Sequence, residues 1–129
     1  MIEEALVDYL LAQEDLTAYV RQEIRPHLIP QESELPCVTV VQLVPGSVTS
    51  LGGSSGLAGS TIRITAWATT WPEAKDVADR VFQALRNVRP TVWSGVRIYG
   101  VEISEGDEAA DPSIPLAQVI RDYRIWHRE

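Results

Sequence analysis

The sequence predicts an α+β fold in which an antiparallel sheet of about four to five strands carries two main helices packed on one face. Three observations predict it. Apolar residues alternate with period two over residues 60–68 and then recur at helical spacing from Ala74 to Leu85, so a one-sided strand feeds a one-sided helix. The β-rich runs that follow one another are joined by connections short enough for hairpins, which favours antiparallel over parallel pairing. A single apolar stripe on a helix needs a matching sheet face to cover it.

The elements follow in order. Ile2, Ala5, Leu6, Tyr9 and Leu10 repeat at helical spacing, with Glu3, Glu4 and Asp8 towards the start, where the helix dipole favours negative charge. Asp15 is placed to cap a short second turn bearing Leu16, Tyr19 and Val20, after which Pro26 and Pro30 impose an extended path. Residues 35–44, rich in β-branched side chains, form a strand that ends at the Pro45-Gly46 turn signal. It is apolar on both faces, as a strand is when it lies centrally in a covered sheet or meets another subunit. Residues 47–59 are small and offer little to bury, so a mobile loop or an extended hairpin tip is expected at about 46–59.

The strand at 60–68 buries Ile62, Ile64, Ala66 and Ala68 and turns Trp67 the other way. The helix after it carries Ala74, Val77, Ala78, Val81, Phe82 and Leu85 on one stripe. Burying the larger of these stabilises by roughly 1.5–3 kcal/mol each. Thr70 and Glu73 suit a capping box and Pro72 fits the first turn, while Pro90 stops the helix near Asn87. A short strand at 91–93 turns at Ser94-Gly95 into another at 96–103, where strict alternation puts Val96 and Ile98 on one face and Tyr99, Val101 and Ile103 on the other. An acidic loop is expected at about 104–113. The last strand, 116–127, shows Ala117, Val119, Arg121, Tyr123 and Ile125 on one face and Ile120, Asp122, Arg124 and Trp126 on its reverse.

Composition bounds the function. The 129 residues suit one domain with one core, spanning 1–129. No apolar run approaches the ~18 residues of a membrane span, and the acidic start lacks the basic region of a secretory signal, so a cytoplasmic product is expected. A net charge of −7 argues against a protein that grips nucleic acid, yet it suits a surface past which DNA slides. The single cysteine, Cys37, lies in an apolar run and reads as an inert buried thiol.

Catalytic and ligand-binding motifs find no match. Gly52-Gly53-Ser54-Ser55-Gly56 precedes a strand rather than a helix and lacks the Lys-Ser or Lys-Thr of a phosphate loop. His27 and His127 fall outside metal-type spacing and read as surface or edge-strand imidazoles. The acidic run 102–111 departs from the calcium-loop pattern and reads as solvated, or as docking onto a basic neighbour. No Gly-x-Ser-x-Gly elbow marks a nucleophile, so no catalytic residue, cofactor or metal is assigned. Trp67, Trp71, Trp93 and Trp126 read as core, with Trp67 also an interface candidate because it points away from the helix layer.

The opening Met-Ile-Glu-Glu-Ala-Leu-Val, the strand Leu35-Pro36-Cys37-Val38-Thr39-Val40, Ser55-Gly56-Leu57-Ala58 leading into Thr-Ile-Arg-Ile-Thr-Ala-Trp-Ala, the helix start Glu73-Ala74-Lys75 and the ending Tyr123-Arg124-Ile125-Trp126 together resemble the tail completion, or tail terminator, family of long-tailed bacteriophages and prophages. The likeness covers nearly the whole chain. It implies a small non-enzymatic α+β subunit that forms a ring, typically of six copies, at the head-proximal end of the tail tube. The implied partners are further copies of the chain, the tail tube protein and the capsid connector, with DNA passing through and no membrane. The implied location is the virion, and the host cytoplasm during assembly. Candidate assembly-interface residues are Ser47, Leu51 and Leu57 of the pliant segment, Arg63 and Trp67 of the strand face turned from the helix, and Glu105, Asp107 and Glu108 of the acidic loop. The alternative, from the antiparallel sheet with helices on one side, is a cytoplasmic small-molecule binding or regulatory domain of ferredoxin-like build. A pre-formed apolar pocket with converging polar groups would favour it.

Overall fold

The computed structural model describes residues 2–21, 23–26, 35–48, 58–86, 88–110 and 117–128, by backbone alone at 44–48 and 104–110. Three helices and six strands follow in the order α1 (Ile2–Leu11), α2 (Glu14–Val20), β1 (Ile24–Pro26), β2 (Cys37–Val48), β3 (Ala58–Ala68), α3 (Trp71–Leu85), β4 (Thr91–Trp93), β5 (Val96–Ala110) and β6 (Ala117–Arg128). The strands form one sheet in the order β1-β2-β3-β6-β5-β4. The α+β class holds, with six strands rather than four or five, a third helix, and one parallel pair.

That parallel pair is β1 on β2, with Ile24 opposite Val38. Three residues ending in a proline give almost no periodicity to read, and proline, which donates no ladder hydrogen bond, is confined to an edge such as this one. All other neighbours are antiparallel.

Strand parity sorts the sheet into two faces. Val38 and Val40 stand beside Ala66 and Ile64, which stand beside Val119 and Arg121, so these side chains share one face. The helices cover it. Ala74, Val77, Ala78, Val81 and Leu85 of α3 are buried there, and Arg121 reaches up from β6 to donate to the Ala78 carbonyl (3.1 Å) and the Asp79 carboxylate (2.8 Å). An arginine among the apolar residues of β6 is thus tethered to the helix above it rather than left unpaired in the core.

The sheet curls far enough that α1 touches both of its edges, β1 and β4. Tyr9 stacks on Trp93 of β4 at 4.5 Å and donates its hydroxyl to the Ala84 carbonyl of α3 (2.7 Å), while Asp8 accepts from Ser94 (2.8 Å). Tight β4–β5 pairing needs a two-residue turn with positive φ twice, and Ser94 (φ 46°) and Gly95 (φ 85°) supply it.

Several local expectations change. Thr70 does precede α3, in extended conformation, but its side chain makes no capping bond, and α2 is preceded by Gln13 instead of being capped by Asp15. Pro45-Gly46 does not end β2; the strand continues to Val48 with register shifts on either side of Val44, so the turn-forming pair is absorbed as an irregularity in a long hairpin arm. Ser47 pairs with Gly59 and Val48 with Ala58, which makes those ends of the expected mobile loop into strand; residues 49–57 lie outside the described residues. The acidic stretch expected as a loop is strand through Ala110, held by β6 alongside it, and 111–116 lie outside the described residues. A shift between Ile98 and Gly100 inserts Tyr99 as an extra residue, which keeps Ile98 and Val101 on the same, helix-covered face instead of opposite ones.

Candidate functional site

The face of the sheet turned from the helices is the surface on which a function can be built. No described element lies over it, and its residues are of mixed character. The buried Thr39 and Thr65 and the half-buried Thr61, Trp67, Ile120 and Trp126 are set around an ion pair.

That pair is Arg63 with Asp122. They stand directly opposite in the β3–β6 register, and the guanidinium donates to both carboxylate oxygens, at 2.9 and 3.2 Å. The carboxylate side chain is 9% exposed and the arginine 42%, so the arginine presents one edge outward while its fork holds the buried acid. Trp67 donates its indole N–H to the Thr39 hydroxyl (2.9 Å), which fixes the ring across β2 and β3. Trp126 lies over Gly59: a Cβ there would come within 2.8 Å of the ring, so glycine is what lets the indole lie flat on β3. Arg124 stacks above the same indole at 5.1 Å. Cys37 is buried at the margin of this face, and desolvation, reinforced by Glu23, pushes its thiol up to about 11, so it stays protonated and unreactive.

The helix-covered face holds a polar chain that sequence reading missed. Ser60, wholly buried, shares a 2.6 Å hydrogen bond with Nε2 of His127 and accepts from the Gln42 side chain (3.2 Å); the Gln42 backbone N–H in turn donates to Glu3 of α1 (3.3 Å). His127 is therefore not a surface or edge imidazole. It sits 5% exposed on a strand flanked on both sides, because β5 runs long enough to cover β6. No spacing in the sequence links residues 60 and 127; only the register across the sheet does. A serine beside a histidine suggests a nucleophile, but a serine with no exposed surface offers a substrate no approach, and the chain of bonds joins α1, β2, β3 and β6 as packing. His27 lies outside the described residues.

The structure spreads the predicted interface residues rather than gathering them. Arg63 and Trp67 share the open face. Ser47 lies at the start of the β2–β3 hairpin arms opposite Gly59, while Glu105, Asp107 and Glu108 lie on β5 opposite Asp122, Ile120 and Val119. Gly59 and Ala66, the β3 residues level with Ser47 and Glu108, are about 23 Å apart along the strand. Leu51 and Leu57 lie outside the described residues.

A cleft of about 590 Å3 opens on the helix side, where the α1–α2 junction meets α3; Glu14, Asp15, Asp76, Asp79, Gln13, Gln83 and Arg80 give it a polar lining, with Leu16 and Ala84 as its apolar residues. Most of its side chains are charged or amide-bearing, unlike the predominantly hydrophobic lining of a small-molecule pocket, and the strand order is not that of a βαββαβ ferredoxin-like unit. Among the described residues no group of three or more His, Cys, Asp or Glu side chains is placed to hold a metal ion, and no described helix is long and apolar enough to cross a membrane.

The sequence model of the family described as tail completion protein gp17 matches residues 4–128. A chain from the virion of a native gene transfer agent particle superposes with a TM-score of 0.77 at 18% identity, over 99% of this chain and 95% of that one. The gp17 protein of bacteriophage SPP1 superposes with a TM-score of 0.56 at 21% identity, over 96% of this chain and 86% of that one. No curated protein sequence matches.

Proposed function

The chain belongs to the tail completion protein gp17 family, and on that premise we propose that it is a non-enzymatic structural subunit that closes the head-proximal end of a phage tail tube as a ring, typically of six copies, and joins it to the capsid connector. The family match over residues 4–128 carries this reading. The molecule has the build such a subunit needs: a curled sheet with its helices on one side and, on the other, a face over which no described element lies and on which subunit contacts can form. Its place is the virion, reached from the host cytoplasm where the particle assembles. At a net charge of −7 the subunit gives a passing DNA polymer little to hold.

Electron microscopy of particles made without this chain tests the proposal. Free heads beside tails of wrong length, or tails lacking a joining end, are expected. Normally joined particles overturn it.

A further inference from the structure

Two arginines of this acidic chain stand where strand pairing makes them repel. Arg97 of β5 and Arg128 of β6 are direct cross-strand partners on the open face, both exposed, and neither has an ion pair or hydrogen bond among the described residues. Like charges directly opposite in an antiparallel pair destabilise it. Arg124, on the same face of β6, adds a third positive charge, and its Nε is a buried donor with no hydrogen-bond partner. Glu102, opposite Arg124, is the one acid in this group, and it makes no ion pair there among the described residues. Beside Arg97 lies a hollow of about 250 Å3 walled by Val92 and Tyr99, which are 56% and 39% exposed. The corner therefore combines unneutralised positive charge with apolar surface, as an interface for an acidic partner does.

The chain itself carries a surface of that description. In the helix-side cleft, Glu14 and Asp15 are exposed acids with no ion pair among the described residues. The cleft's own arginine, Arg80, is already engaged: it pairs with Asp76 at 3.5 Å, donates to the Asp15 carbonyl and the Tyr19 hydroxyl, and stacks on the Tyr19 ring at 4.0 Å. Asp79 is held by Arg121. What remains is net acidic and wide enough for a guanidinium.

We propose that Arg97 and Arg128 of one copy seat against Glu14 and Asp15 of the next. The arginines lie on the open sheet face and the acids on the helix layer covering the other face, so the contact joins two different surfaces. A contact of that kind is heterologous and repeats head to tail, closing a ring when the rotation permits. The inference rests on the ring reading above and assigns the surfaces that make it. DNA is the less suitable occupant, because the phosphate backbone would meet an acidic molecule whose remaining charge repels it.

Charge swapping in a particle-producing host tests it. R97E/R128E and E14R/D15R are each expected to lower the yield of head-joined particles by roughly tenfold or more, and the quadruple variant, which restores opposite charges across every contact, is expected to recover most of the loss. Circular dichroism of each purified variant establishes that it is folded, and Arg97→Glu alone is expected to raise the melting temperature of the isolated chain while still lowering yield, a divergence that a purely structural role would not produce. Wild-type yield from either double variant overturns the inference. So does failure of a folded quadruple variant to recover, including the case in which R97E/R128E loses retention on immobilised DNA. Wild-type particles with no ring of this chain would instead overturn the ring reading itself.

Discussion

Ser60 and His127 meet at 2.6 Å inside the core, each buried, with Gln42 donating to the same hydroxyl. Removing that hydroxyl leaves buried polar atoms without their partner, so Ser60→Ala is expected to cost about 1–3 kcal/mol, read as a lower urea midpoint; an unchanged midpoint would contradict the assignment. Gly59→Ala drives a methyl into the Trp126 ring, with an expected loss of about 1–3 kcal/mol and a changed tryptophan emission. The buried thiol and phenol make a pH prediction. Burial raises Cys37 from 9.0 to about 11 and Tyr123 from 10.0 to about 12, the latter against the opposing pull of Arg121. Both groups hold their protons longer in the folded chain, so the unfolded chain releases protons first as pH climbs. Their contribution to stability is complete below pH 9 and drains away as pH rises through 11 and 12, which alkaline denaturation curves of the wild type and Cys37→Ala will separate. The burial of Cys37 was legible from its apolar run, but the Ser60–His127 and Gly59–Trp126 contacts were not, because a serine, a glycine and a histidine carry no sign of what stands across the sheet.

Elements were legible where one face is apolar for long enough. Ile62, Ile64, Ala66 and Ala68 announced β3, and the stripe from Ala74 to Leu85 announced α3, because burial on one side repeats at the period of the element itself. The failures share a physical cause. Pro45-Gly46 and the acidic 104–110 carry local signals for a turn and a loop, yet pairing with β3 and β6 holds both as strand. β1 is three residues long and exists only because β2 offers an edge. The Arg97–Arg128 pairing was equally hidden, since it depends on a register that the Tyr99 bulge resets. Because those two charges oppose each other across adjacent strands, Arg97→Glu should stabilise the isolated chain by roughly 0.2–1 kcal/mol, and thermal melts at low and high salt should show the gain shrinking as salt screens it.

The described molecule is a curled sheet whose two edges are bridged by α1, with α3 on the middle of one face and no described element over the other. The bridge depends on Tyr9, which joins β4 through its ring and α3 through its hydroxyl. Tyr9→Phe is therefore expected to lose about 0.5–1.5 kcal/mol with the Trp93 stack intact. The order and spacing of plain motifs were enough to suggest the family, whereas the corner proposed above as a docking surface was not readable, because Val92, Arg97 and Arg128 of β4, β5 and β6 come together only once the sheet has formed. On the function proposed above, this molecule works as one copy in a closed ring on the tail end. Mass measurement of the species that the purified chain forms on isolated tail tubes tests it most directly: a single discrete multiple of the 14.3 kDa chain, bound at one end of each tube, is the predicted result, and a chain that stays monomeric with tubes present, or coats them along their length, would contradict it.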